Sequence, residues 1–153
     1  MDLRQILMSA AVIAASGALS SCAPEDEVCD PVDGTYEPLY TARTGDCGPI
    51  APMLVPLDGG SRGVRTSTEM QFGRDIVTMV VHKGCTLRVT QQVLTKEGLL
   101  ESMMNGGEIT VHSSAQLSGV VEYVRYTPEQ QKACEGTYDA TFTRPDSVGG
   151  IQP

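Results

Sequence analysis

The feature that most constrains this chain is a side-chain period of two. From Gly136 to Arg144, Tyr138, Ala140 and Phe142 alternate with Thr137, Asp139, Thr141 and Thr143. In an extended strand the aromatic set then faces one way and the polar set the other, which predicts a half-buried strand. Upstream, Ile76 to His82 is apolar on both faces, as a central strand would be, and Gly84 marks a tight turn. It leads into Cys85 to Leu94, where Leu87, Val89 and Val93 alternate with Arg88, Thr90 and Gln92. That pair reads as a hairpin. A second hairpin is expected from Gly107 to His112 and Gln116 to Tyr126, turning at Ser113-Ser114, and Leu99 to Met104 suits one more strand. Residues Thr127 to Lys132 read differently. Thr127 can cap, Pro128 fits a first helical position and Gln130 stands three residues after the cap, which predicts a short helical turn.

An internal echo bears on how the strands are arranged. Gly34-Thr35-Tyr36 opens a segment ending Tyr40-Thr41-Ala42-Arg43, and Gly136-Thr137-Tyr138 opens one ending Phe142-Thr143-Arg144. Two strands facing one core would account for it, and pairing of the first strand with the last would go further and help to close a barrel. Pro38 argues against complete closure, because it has no N–H to donate and belongs on an edge or a bulge. The expected fold class is all-β: an antiparallel meander of about seven or eight strands over residues 34–144, forming a small barrel or a flattened sandwich.

Before that domain the pattern changes. An uncharged stretch from Gln5 to Ser21, after Arg4, ends in Leu19-Ser20-Ser21-Cys22. The stretch is short and rich in small residues, unlike a membrane-spanning helix, and has the form of a signal-peptide core. Leu19-Ser20-Ser21-Cys22 resembles the lipobox of bacterial lipoproteins. That resemblance implies cleavage before Cys22, diacylglycerol on its sulfur and an acyl chain (palmitate or similar) on its amine. It makes residues 1–21 a signal peptide and gives an anchor of several chains, enough for stable attachment. With Ala23 next, and no aspartate to retain the protein at the inner membrane, the resemblance points to the cell outer membrane.

Residues 22–33 form an acidic, proline-containing tether, and 145–153 a flexible tail. If Cys29 is tied into the domain, the free tether is about seven residues, roughly 25 Å at full extension. Setting Cys22 aside leaves four of the five cysteines, Cys29, Cys47, Cys85 and Cys134. An even set in an exported chain predicts two disulfides, each worth about 2–4 kcal/mol. Three pairings remain open. A zinc site is disfavoured because no Cys-x-x-Cys pair is present. Small bacterial lipoproteins with a Cys-x-Gly-Thr-Tyr strand ending in aromatic-Thr-Arg are similar to Cys134, Gly136, Thr137, Tyr138, Phe142, Thr143 and Arg144, with Cys47-Gly48 after the first strand. That resemblance implies a fold and no activity.

Charge narrows the function. The leader carries Asp2 and Arg4, so its removal leaves the net charge at -8. An acidic body disfavours nucleic acid and electrostatic adhesion to anionic lipid, so the membrane is expected as a partner only through lipid on Cys22. Only His82 and His112 are available as histidine bases or ligands, and both read as strand-end or surface residues. Ser113 and Ser114 next to His112 make no triad, and Gly59-Gly60 and Gly106-Gly107 lack a phosphate-loop motif. No catalytic residue, metal ligand or cofactor is assigned. The expectation is a non-enzymatic binding or structural module of the envelope, with an envelope protein as a possible partner. The alternatives are a lipocalin-like carrier of a small apolar ligand and a periplasmic hydrolase inhibitor. Ser118-Gly119 and Tyr123 faintly resemble the Ser-Gly-x-x-Tyr loop of lipid-anchored lysozyme inhibitors, with one residue more between them.

Overall fold

A computed structural model describes residues 29–57 and 62–145. The leader, Cys22 and nearly all of the C-terminal tail lie outside the described residues. Eight strands follow in order: β1 (Gly34–Gly45), β2 (Val55–Leu57), β3 (Arg62–Gln71), β4 (Arg74–Lys83), β5 (Thr86–Leu94), β6 (Leu100–Ser113), β7 (Gln116–Tyr126) and β8 (Lys132–Thr143). They form one antiparallel sheet in the order β2-β1-β8-β7-β6-β5-β4-β3. The sheet curls into a nearly closed barrel, so the expected meander is present and barrel replaces sandwich.

First and last strands pair, from Glu37 opposite Thr143 to Gly45 opposite Gly136. Pro38 lies in this stretch, beyond the three residues of β1 that pair with β2, so its missing N–H interrupts no ladder on the second side. Gly45 is required where β1 ends: its φ is +108°, and a Cβ there would come within 2.3 Å of the Glu135 carbonyl oxygen and the Gly136 Cα.

The alternation read in β8 holds, with Tyr138, Ala140 and Phe142 buried and Asp139 exposed. Tyr36, Val80, Leu87, Ile109, Leu117 and Val121 join them in the core of the barrel. Tyr40 packs edge-on against Tyr138 and Phe142, with ring centroids 6.4 and 6.5 Å apart, the arrangement aromatic quadrupoles favour.

Two expectations change in detail. Thr127 to Lys132 is no helical turn but the β7–β8 hairpin loop, where the Gln130 N–H donates to the Thr127 carbonyl at 2.9 Å and Gln130 has φ +61°. Pro128 suits the second position of a type I turn as well as a first helical turn, and Lys132 must already stand opposite Tyr126, which leaves no length for a helix. Residues 100–104 and 107–112 belong to one strand, β6, with Leu99 just before it, and its register shifts at Gly107.

Disulfides pin a covering segment at each end. At the base, Cys29 is bonded to Cys85 beside the β4–β5 turn, with Cα atoms 5.2 Å apart. Val32 is buried in the core, the Ser114 N–H donates to Asp30 Oδ2 at 3.4 Å and Arg144 Nη1 donates to the Asp33 carbonyl at 3.3 Å. The end of the expected tether is therefore part of the domain. At the opposite end Cys47 is bonded to Cys134, Cα atoms 5.0 Å apart, and the Tyr138 hydroxyl donates to the Gly48 carbonyl at 2.7 Å. Residues 47–54 then run from the end of β1 to the β3 side of the barrel. There the Gln71 carboxamide accepts from the Leu54 N–H at 3.0 Å and donates to its carbonyl at 3.1 Å. One side chain thus supplies the pair of bonds that a β2–β3 ladder would have made.

Candidate functional site

Ladder geometry builds the site. In antiparallel strands, directly opposed residues share a face, and the two inward rows nearest the Cys47 end are Gln91, Met104, Tyr123 and Gly136, then Val93, Ser102, Arg125 and Cys134. With residues 47–54 crossing above, they enclose a cavity of about 250 Å³ at the barrel mouth. Ile50 and Met53 of the crossing segment line it, as do Tyr40 and Glu101.

A register shift between Val93 and Leu94 leaves Glu101 without an opposite residue on β5. Such a bulge re-aims a side chain, which is how both Glu101 and Ser102, neighbours in sequence, line one cavity. Glu101 accepts from Arg74 Nε at 2.6 Å at the rim.

The polar groups within are unusual for a barrel interior. Gln91 is 3% exposed and Ser102 6% exposed. Gln91 Nε2 donates to the Leu54 carbonyl at 2.9 Å and to Thr78 Oγ1 at 3.3 Å, which holds the amide in place and leaves Oε1 over. Among the described residues neither Gln91 Oε1 nor the Ser102 hydroxyl has a protein partner. Both side chains line the cavity, so these two oxygens are open to hydrogen bonds with water or with a ligand that enters it. Tyr40 donates to Met104 Sδ at 3.1 Å, and burial pushes its phenol far above the ordinary value, so the ring stays neutral. Arg125 is exposed at the rim and makes no ion pair among the described residues.

The histidines do not converge. His82 is at a strand end as expected, but buried, because it continues the inward row of Ile76, Thr78 and Val80. His112 is exposed on the outer face, where its Nε2 lies 2.6 Å from the Ser118 hydroxyl; Ser113 and Ser114 take no part. Cys47 and Cys134 lie close to Asp46, but both sulfurs are in the disulfide. Ser118, Gly119 and Tyr123 lie within β7 rather than in a projecting loop, and Tyr123 faces the cavity.

Gln91 and Ser102 were not singled out from sequence. Each occupies an inward position in an otherwise apolar row, Leu87-Val89-Gln91-Val93 and Leu100-Ser102-Met104, and that polar interruption is the mark they leave. Comparison with protein-family models, curated proteins and solved structures gave no match.

Proposed function

We propose that this chain is a lipid-anchored module of the cell envelope that works by binding and not by catalysis, with the barrel mouth as its binding site. The observation that carries the reading is that Gln91 Oε1 and Ser102 Oγ, without a protein partner among the described residues, line a cavity whose wall includes Ile50, Met53, Val93, Met104 and two tyrosine rings, with Glu101 and Arg125 as its charged groups. A cavity with few convergent polar groups on an apolar wall is the usual form of a small-molecule site. The resemblance of Leu19-Ser20-Ser21-Cys22 to a lipobox supports the anchor, and Ala23 favours the outer membrane.

Anchor and mouth then define an orientation. Lipid on Cys22 would leave about seven residues before Cys29, roughly 25 Å of chain, and Cys29 is bonded at the base. The base would turn toward the bilayer. The mouth would open away from it, across strands of about ten residues, roughly 25–30 Å further out. Such a site takes its ligand from the aqueous side. A lipocalin-like carrier with a deep apolar calyx is less well supported, since Tyr36, Tyr138 and Phe142 occupy the middle of the lumen.

Thermal unfolding of the oxidised protein tests the reading. A small-molecule extract of the envelope should raise the melting temperature of the native chain and not that of Ser102→Met, which fills the mouth. An equal rise in both, or none in either, would exclude the mouth as the binding site.

A second reading, an envelope protein as partner, is favoured by β3. It is the last strand of the sheet order, its outward row includes Val64 and Met70 beside Met79 of β4, and Phe72 follows at its turn. An unpaired edge of this kind accepts another strand. Met70→Lys should then weaken capture of a partner from envelope extracts, and capture that is unaffected would dismiss this edge.

A further inference from the structure

We propose that the ligand of the barrel mouth is a small monocarboxylate with an apolar body, its carboxylate held by Arg125, Ser102 and Tyr123. This deepens the binding reading above and rests on it. Three observations favour an anion over a cation or a neutral molecule.

The first is the ladder. Arg125 stands directly opposite Ser102, and Tyr123 directly opposite Met104, one inward step further down. A guanidinium and two hydroxyls thus line one cavity from neighbouring ladder positions, and Ser102, 6% exposed, has no protein partner for its hydroxyl among the described residues. Arginine presents a planar fork that matches a carboxylate, and charge-assisted bonds of that kind are stronger than neutral ones.

The second is the local charge. The chain carries -8 overall, yet the ionised groups that line the cavity are one of each sign, Arg125 and Glu101. Glu101 is already paired with Arg74 at 2.6 Å. Arg125 makes no ion pair among the described residues, with Asp46 near by outside the lining. A cationic ligand would meet Arg125, and a neutral one would leave it unused.

The third is size and lining. A cavity of about 250 Å³ holds on the order of eight waters' worth of liquid volume, which admits a short aliphatic or single-ring body and excludes a long acyl chain. Val93, Met104, Ile50 and Tyr40 supply the apolar wall. Gln91 Oε1 remains as an acceptor for a hydroxyl or amide on the ligand body, so a substituted carboxylate would bind more tightly than a plain one.

The test is a nuclear magnetic resonance titration of the purified, oxidised protein with hexanoate, hexanamide and hexylamine as probes. Hexanoate should give saturable shifts centred on Ile50, Val93, Ser102 and Tyr123. Hexanamide should bind at least tenfold more weakly, and Arg125→Gln should weaken hexanoate at least tenfold. Because Arg125 is exposed, the spectrum of that variant away from the mouth should be unchanged; Ser102→Ala, as a second variant, should weaken hexanoate by a smaller factor. If hexanamide or hexylamine binds as well as hexanoate, or Arg125→Gln changes nothing, the carboxylate assignment is wrong while the mouth remains a binding site. If none of the three probes shifts the mouth residues, the carboxylate assignment is overturned and the binding reading loses its support with it.

Discussion

At the scale of single residues, Gln71 does work usually done by a strand. Its carboxamide makes both bonds to the Leu54 backbone, at 3.0 and 3.1 Å, where β2 and β3 fail to pair. Leu54 is partly exposed, so water can replace a lost partner, and a hydrogen bond of this kind is worth about 1 kcal/mol net. Gln71→Ala should lower the unfolding free energy of the oxidised protein, read from its urea transition, by that amount, and Gln71→Glu, which keeps an acceptor for the Leu54 N–H, by less. No loss in either would mean that the seam is held elsewhere. Residue-level reading of the sequence succeeded where side chains repeat with the strand period and failed where one polar residue breaks it. Gln91 and Ser102 stand as single polar residues in inward rows, and only cross-strand register shows that they meet beside Met104 and Val93 in one cavity.

Among the elements, β8 and β5 were legible because apolar residues alternate with polar ones along them, and β4 because it is apolar on both faces between two turn signals. β3 was not, for a physical reason. Its outward row carries Val64 and Met70 while its inward row is Arg65, Ser67, Glu69 and Gln71, the reverse of the usual rule, because it overhangs the seam instead of covering the core. The echo between the first and last strands was accounted for by two strands facing one core; their pairing, the further reading, is what the ladder shows. Disulfide pairing was not legible, since it depends on which segments cross the two ends. Each bridge holds one crossing segment, so their removal should act locally as well as globally. Replacing Cys47 and Cys134 together by serine should cost about 2–4 kcal/mol and speed amide exchange across residues 47–54, while exchange around Cys85 stays slow. The same double change at Cys29 and Cys85 should spare the mouth. Exchange that quickens at both ends in either variant would contradict two separately pinned covers.

For the whole molecule, the proposed anchor and the proposed binding end fit together: any attachment to a membrane would come from lipid and not from charge, and a ligand of the mouth would enter from one end. A chain of net charge -8 has no electrostatic reason to sit on an anionic bilayer. Its base, carrying Cys29 bonded to Cys85, is the end nearest to Cys22 in the chain. The fold class and the even set of four cysteines could be read from sequence alone; the mouth could not, because it exists only once eight strands are in register. The claim on which orientation, ligand access and location all depend is the lipid on Cys22. Intact-mass measurement of the protein from the membrane fraction of its own cells, without reduction, tests it in one step. The mass expected is that of residues 22–153 with two disulfides plus diacylglycerol and one acyl chain, and Cys22→Ala should move the protein out of that fraction. An unmodified N-terminus on membrane-bound protein, or a Cys22→Ala chain still held there, would contradict it.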